Sequence, residues 1–208
     1  MRVLLVNAFP MACAALTGLI EQHFAVPQVQ GVDSAAAALA ALRQGVPDLV
    51  LLDLRVDGGL ELLVQIHHEH VQLPVVVISG TDRTEDALSA LGAGAMGYVP
   101  ERSDLDTLVE ALCLVLAGGT YVPTLARLPG KPAPEAAQPP QDWAHLPLTP
   151  RQKHVLSLLS QGLPNKLIAR ELGVSVDTVK DHVAAVLKAL GVSSRTQAVV
   201  AATQKNRP

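Results

Sequence analysis

Residues 128–147 read LPGKPAPEAAQPPQDWAHLP. Pro and Ala dominate the stretch, and no apolar period runs through it. Proline has no amide hydrogen to give to a helix or a ladder, so these residues read as an extended, semi-rigid linker. Trp143, the one aromatic residue in it, is expected to cap the part that follows. Reading 128–147 as a connector divides the 208-residue chain into 1–127 and 148–208. The two parts differ sharply in charge. Residues 1–127 hold six Lys and Arg against fourteen Asp and Glu, a net −8. Residues 148–208 hold nine against three, a net +6. A basic module on an acidic one points to nucleic acid as a partner of the basic part.

Upstream of the linker, short apolar runs alternate with helical patterns. RVLLV (2–6), a weaker VPQVQ (26–30), DLVLL (48–52), PVVVI (74–78) and GYV (97–99) read as strands. Helical periodicity lies near 11–23, 33–44, 59–70, 84–92 and 104–117. Five strands alternating with five helices predict a parallel sheet covered on both faces. The expected class is α/β, a doubly wound sheet of order 2-1-3-4-5 with a switch point between the first and third strands. Loops after those two strands should carry any chemistry, and they hold Asn7, Ala8 and Asp53.

Downstream of the linker, everything reads as helix. Thr149 is a predicted N-cap with Pro150 at the first helical position, and Gly162 ends that helix. PNKLIARELG gives a short helix, and VSVDTVKDHVAAVLKALG gives a longer one capped by Ser175. A last helix is predicted over roughly 195–204. Two helices joined only by a Gly-containing turn form the helix-turn-helix pattern. In the longer helix, Val176, Val179, Val183, Val186, Leu187 and Leu190 recur at spacings of three and four and form a stripe to be buried. Asp177, Thr178, Asp181, Ala185 and Lys188 lie opposite, with Lys180 and Ala184 on one flank and His182 on the other. Small and polar residues on such a face suit close approach to a DNA groove. Lys166, Arg195 and Thr196 are placed to hold the phosphate backbone.

The segment from Leu148 to Val200 resembles the LuxR-type helix-turn-helix domain nearly end to end. Leu148-Thr149-Pro150-Arg151, Gly162, Asn165-Lys166, Ile168-Ala169, Leu172, Ser175, Thr178-Val179-Lys180, His182 and Ser194-Arg195-Thr196 carry the match. The resemblance implies a DNA-binding dimer with its third helix in the major groove. It implies Lys180, Asp181 and Ala184 facing bases, and Lys166, Thr178, His182 and Lys188 facing or flanking the backbone. Asp181 either accepts from cytosine N4 or is a solvated helix residue. Gln152 stands where this family usually has Glu, so a structural ion pair is expected to be missing.

The N-terminal part resembles a response-regulator receiver domain, and the two parts together resemble the NarL/FixJ class. PDLVLLDLR places Asp53 at the phospho-acceptor position, VVISG places Ser79 at the switch hydroxyl, and GAGAMGYVPE places Tyr98 at the switch aromatic. In that family a phosphoryl group recruits the hydroxyl and the aromatic ring turns inward behind it. Three positions depart from the family. Asn7 and Ala8 replace the acidic pair that holds Mg²⁺, an ion that wants hard oxygen ligands. Glu101 replaces the Lys that pairs with the phosphoryl group. At about 4 Å and an effective dielectric near 20, each unit-charge pair is worth about 4 kcal/mol, so an inward, charged Glu101 opposes a phosphoaspartate. The loop after Asp53 is also about two residues short. Asp57 in it is either a substitute carboxylate or part of a turn capping the next helix.

These readings set the expected function. The chain is expected to be a sequence-specific DNA-binding transcription regulator, not an enzyme, controlled independently of phosphorylation. No resident cofactor is expected, and Mg²⁺ binding should be weak or absent. Partners implied are double-stranded promoter DNA, a second copy of the chain and RNA polymerase. The dimer face implied by the wider family is the fourth helix, fifth strand and fifth helix. A histidine kinase acting on Asp53 belongs to an alternative, the conventional two-component response regulator, and a second alternative is a protein-interaction adaptor. No apolar run reaches the roughly 18 residues of a membrane span, and a cytoplasmic protein is expected. Cys13 and Cys113 read as two small buried, reduced residues, and His67, Glu69 and His70 as a solvated helix end or a weak metal site.

Overall fold

The computed structural model describes residues 1–123 and 146–204, with side chains through Ala202. Trp143 and nearly all of the linker lie outside the described residues. Five parallel strands, β1 (Arg2–Val6), β2 (Gln28–Val32), β3 (Leu49–Asp53), β4 (Val75–Ser79) and β5 (Gly97–Pro100), form one sheet. Their order is β2-β1-β3-β4-β5, as the alternating pattern predicts. Between them run α1 (Pro10–His23), α2 (Ala35–Gln44), α3 (Gly59–Glu69) and α4 (Thr84–Gly92), and α5 (Leu105–Leu116) follows β5.

Both faces of the central strands are apolar because both are covered. Leu4, Val6, Val50, Leu52, Val75 and Val77 pack with Ala38, Ala41 and Leu42 of α2, Leu62, Leu63 and Ile66 of α3, and Ala87 and Ala90 of α4. The alternate residues, Val3, Leu5, Leu49, Leu51, Val76 and Ile78, pack with Leu19 and Ile20 of α1 and Leu108, Ala111, Leu112 and Val115 of α5. The period of two along each strand thus feeds two separate cores. The edge strand β2 lies two residues later than its sequence pattern predicts. Val26 is 88% exposed with a φ of 46°, so it belongs to the turn before the strand.

The C-terminal part holds α6 (Pro150–Ser160), α7 (Asn165–Leu172), α8 (Val176–Leu190) and α9 (Arg195–Gln204). Val155, Leu156, Leu159, Ile168, Val179, Val183 and Val186 make one core that joins α6, α7 and α8. Val176, predicted to complete the α8 stripe, is 39% exposed, because it is the first residue of the helix and stands outside that core. Gln152 does more than lose a charge. Its amide oxygen accepts from Thr149 N at 2.9 Å while Gln152 N donates to the Thr149 hydroxyl, a complete capping box without an ion pair. Ser175 caps α8 by accepting from Thr178 N at 3.0 Å. Ser175→Ala is expected to cost about 1 kcal/mol of unfolding free energy, read from urea denaturation of the full chain.

Candidate functional site

All five strands run the same way, so their C-terminal ends gather at one edge. The register puts Val6 beside Leu52, Asp53 beside Ile78, and Ser79 beside Pro100. Asn7, Asp53, Ser79 and Glu101 therefore meet at the ends of β1, β3, β4 and β5. Asp53 is 2% exposed and Asn7 3% exposed. A carboxylate so far out of water needs partners for both oxygens.

Arg55, two residues on, supplies most of them. Its backbone N–H donates to Asp53 Oδ1 at 2.9 Å. Its Nε lies 3.1 Å from Oδ1 and 3.2 Å from Oδ2, and its Nη2 donates to Oδ2 at 2.7 Å. The same Nη2 also pairs with Glu101 Oε1. Phe9 lies against the guanidinium, its ring centroid 4.8 Å from Cζ. The hydrogen bond to Asp53, with the charges of Asp53 and Glu101, holds the Arg55 pKa above its ordinary value.

Asn7 fits this arrangement. Its Nδ2 donates to Asp53 Oδ2 at 3.1 Å, and its Oδ1 accepts from Phe9 N at 2.8 Å. The amide donates a hydrogen bond to Asp53, where an ionised aspartate at that position could only accept. Ala8 is exposed and contributes nothing polar. Asp57 is exposed as well, and the turn it belongs to passes through Gly58, at φ 71°, into the first residue of α3. Asp57 thus lies in the turn that leads into α3, where Gly58 takes the N-cap position without a side-chain hydrogen bond.

Sequence reasoning left Asp53 as the only carboxylate of the site, with Glu101 acting by repulsion. The structure corrects this, because Glu101 enters the site as a ligand of Arg55. Arg55 is the residue that reasoning missed. Its signal was present as a mismatch. A carboxylate standing in a cation's place calls for a new cation within reach, and Arg55 is the one Lys or Arg between Asp53 and α3.

The switch positions lie behind this cluster. Tyr98 is fully buried, and its hydroxyl donates to Thr81 O at 3.0 Å and lies 3.0 Å from Thr81 Oγ1. Thr81 Oγ1 donates to Asp86 Oδ2 of α4 at 2.6 Å. Ser79 Oγ accepts from Thr81 N at 3.3 Å. Arg102 pairs with Asp82 across the same two loops. The aromatic is turned inward.

Other candidates stay apart from this edge. Cys13 Sγ donates to Asn7 O at 3.4 Å, and burial, then Asp33 and Asp53, push its thiol pKa up. Both cysteines are free; against the sequence reading, Cys113 is exposed and Cys13 only half-buried, because Cys113 stands on the side of α5 away from its buried stripe. Among the described residues no group of three or more His, Cys, Asp and Glu is placed to hold a metal, His67, Glu69 and His70 included. No helix among them is long and apolar enough to cross a membrane.

On α8, Asp177, Lys180, Asp181, Ala184 and Lys188 are exposed, and Thr178 and His182 half-buried. The predicted groove face is therefore a real outward surface. Lys180 Nζ donates to Asp177 Oδ1 at 2.9 Å, an interaction that raises the ammonium pKa. Lys166 is exposed at the start of α7. Arg195 departs from its expected role at the phosphate backbone. Its guanidinium is turned inward, donating to Asn165 Oδ1 at 2.8 Å and to Leu163 O, and ties α9 to the α6–α7 turn. Burial lowers its pKa to about 10. Thr196 is buried too, with its hydroxyl 3.0 Å from that of Ser194.

A receiver-type switch domain followed by a helix-turn-helix domain is what fold and site define. The chain matches the response regulator receiver domain over residues 3–113 and the luxR family of bacterial regulatory proteins over residues 146–202. It is 33% identical over 201 residues to the nitrate/nitrite response regulator protein NarL of Escherichia coli K12, covering 95% of this chain and 93% of that one. It is 30% identical over 210 residues to the transcriptional regulatory protein LiaR of Bacillus subtilis, covering 96% and 95%. Among solved structures, a LuxR-family two-component response regulator from Aurantimonas is 30% identical with a TM-score of 0.57, over 61% of this chain and 92% of that one. The chain belongs to the DNA-binding response regulators with a luxR-type helix-turn-helix domain.

Proposed function

We propose that this regulator controls transcription without phosphorylation of Asp53. The observation that carries the reading is the Arg55 guanidinium, seated on both Asp53 oxygens and on Glu101, where the family receives Mg²⁺ and a phosphoryl group. Asp53 has no free lone pair directed at a metal, and the acidic pair that would recruit one is Asn7 and Ala8. No resident metal or cofactor is part of this reading. The working unit is a cytoplasmic homodimer on promoter DNA that acts on RNA polymerase, with 1–127 as the regulatory part, 128–147 as connector and 148–208 as the DNA-reading part. The outward face of α8 reads bases through Lys180, Asp181 and Ala184, while Lys166, Thr178, His182 and Lys188 engage the backbone.

The test is chemical. After incubation with acetyl phosphate and Mg²⁺, the intact mass is expected to show no phosphoryl adduct, and operator affinity to stay unchanged. A stoichiometric adduct on Asp53 that tightens operator binding would return the protein to the conventional two-component reading. No binding to any promoter duplex at low salt would make it an adaptor.

A further inference from the structure

The ends of β3 and β5 are two strand spacings apart, about 10 Å, with β4 between them. A side chain that joins them has to pass over the loop that leaves β4. Arg55 and Glu101 meet above Gly80, the first residue of that loop. A Cβ built on Gly80 would lie 3.5 Å from Arg55 Nη1 and 3.5 Å from Glu101 Oε2. The Glu101 backbone N–H donates to Ser79 O at 2.8 Å, so the backbone beneath the ion pair is fixed on one side of Gly80. On the other side is Thr81, whose carbonyl and hydroxyl hold the Tyr98 hydroxyl and whose hydroxyl binds Asp86 of α4. A chain of contacts thus leads from Arg55 through Glu101 and residues 79–81 to Tyr98 and α4.

We propose that Arg55 is a positioning residue of the switch, a tethered cation that clamps Glu101 over Gly80 and so keeps Thr81 and Tyr98 in the inward arrangement. This rests on the phosphate-independent reading and adds how the state of the domain is set. In the family a metal ion and a phosphoryl group join these loops from outside the chain. Here the joining charge belongs to the chain. Lysine would keep the charge of Arg55 but not its planar fork, which is needed to engage Asp53 twice and Glu101 once.

The chain has two tyrosines, so the full-length protein made with 3-fluorotyrosine gives two ¹⁹F signals, and Tyr98→Phe identifies the one from residue 98. Arg55→Ala is expected to shift and broaden that signal and to weaken operator binding about tenfold. Arg55→Lys is expected to fall between. Arg55→Ala combined with Glu101→Lys, which brings a cation to Asp53 from the β5 loop, should recover the native Tyr98 signal. Glu101→Gln keeps the Arg55–Asp53 pair and loosens only the bridge, and it should move Tyr98 the same way even if Arg55→Ala does not fold. An unchanged Tyr98 signal in Arg55→Ala or Glu101→Gln would overturn the proposal, as would an Arg55→Ala defect that Glu101→Lys leaves in place. Phosphorylation of Asp53 by acetyl phosphate would instead sink the parent reading, so the two failures are told apart.

Discussion

Operator affinity is expected to fall about 10²-fold between about 50 and about 200 mM salt. Each copy presents Lys166 near the start of α7, and Lys180 and Lys188 on α8, to solvent. Lys180 faces bases, so a dimer on its site brings four cations, Lys166 and Lys188 of each copy, to the phosphates. Each neutralised phosphate contributes about −0.9 to the slope of log affinity against log salt, so a slope of about −3.6 is expected from four. Arg195 is left out of this count because its guanidinium is spent on Asn165 and Leu163. Lys188→Ala should weaken binding to all duplexes alike and make the slope shallower by about 2, one contact per copy. Lys180→Ala should also relax sequence preference, at a cost of about 1–3 kcal/mol against the best site. Fluorescence anisotropy at a series of salt concentrations measures all three. A flat salt dependence would remove α8 from the DNA.

The second large effect concerns metal. Restoring the usual receiver set with Asn7→Asp, Ala8→Asp and Glu101→Lys is expected not to restore Mg²⁺ binding while Arg55 remains. The guanidinium already occupies both oxygens of Asp53, and a unit charge at about 4 Å is worth about 4 kcal/mol at an effective dielectric near 20. Adding Arg55→Ala to the three changes should therefore tighten Mg²⁺ by on the order of 10²-fold or more, measured by calorimetric titration. Equal affinities with and without Arg55 would place the obstacle in the shortened loop after Asp53 instead.

Much of this could be read before any coordinates. The strands are buried on both faces, so they appear as unbroken apolar runs, and their ends fall where Asn7, Asp53 and Ser79 mark them. The weak strand was β2, which lies at the sheet edge and alternates Gln with Val, and its start was misplaced by two residues. Caps at Thr149 and Ser175 were legible because a hydroxyl before a helix has one obvious use. Arg55 was not legible in the same way. It is two residues from Asp53 but 46 from Glu101, and the meeting depends on the spacing of β3 and β5 across β4. Arg195 was misread because a cation at the start of a helix looks like a phosphate ligand in a linear sequence. Only the packing of α9 against the α6–α7 turn shows that it faces inward.

The tethering of Arg55 has a consequence in time. A phosphoryl group is added and removed, so an ordinary receiver forgets its signal at the rate of hydrolysis. A guanidinium covalently part of the chain is not hydrolysed, diluted or taken by a chelator. A receiver held this way has no chemical clock. On the proposed phosphate-independent reading, its memory lasts as long as the polypeptide does, and the strength of its output follows the number of copies the cell makes and destroys.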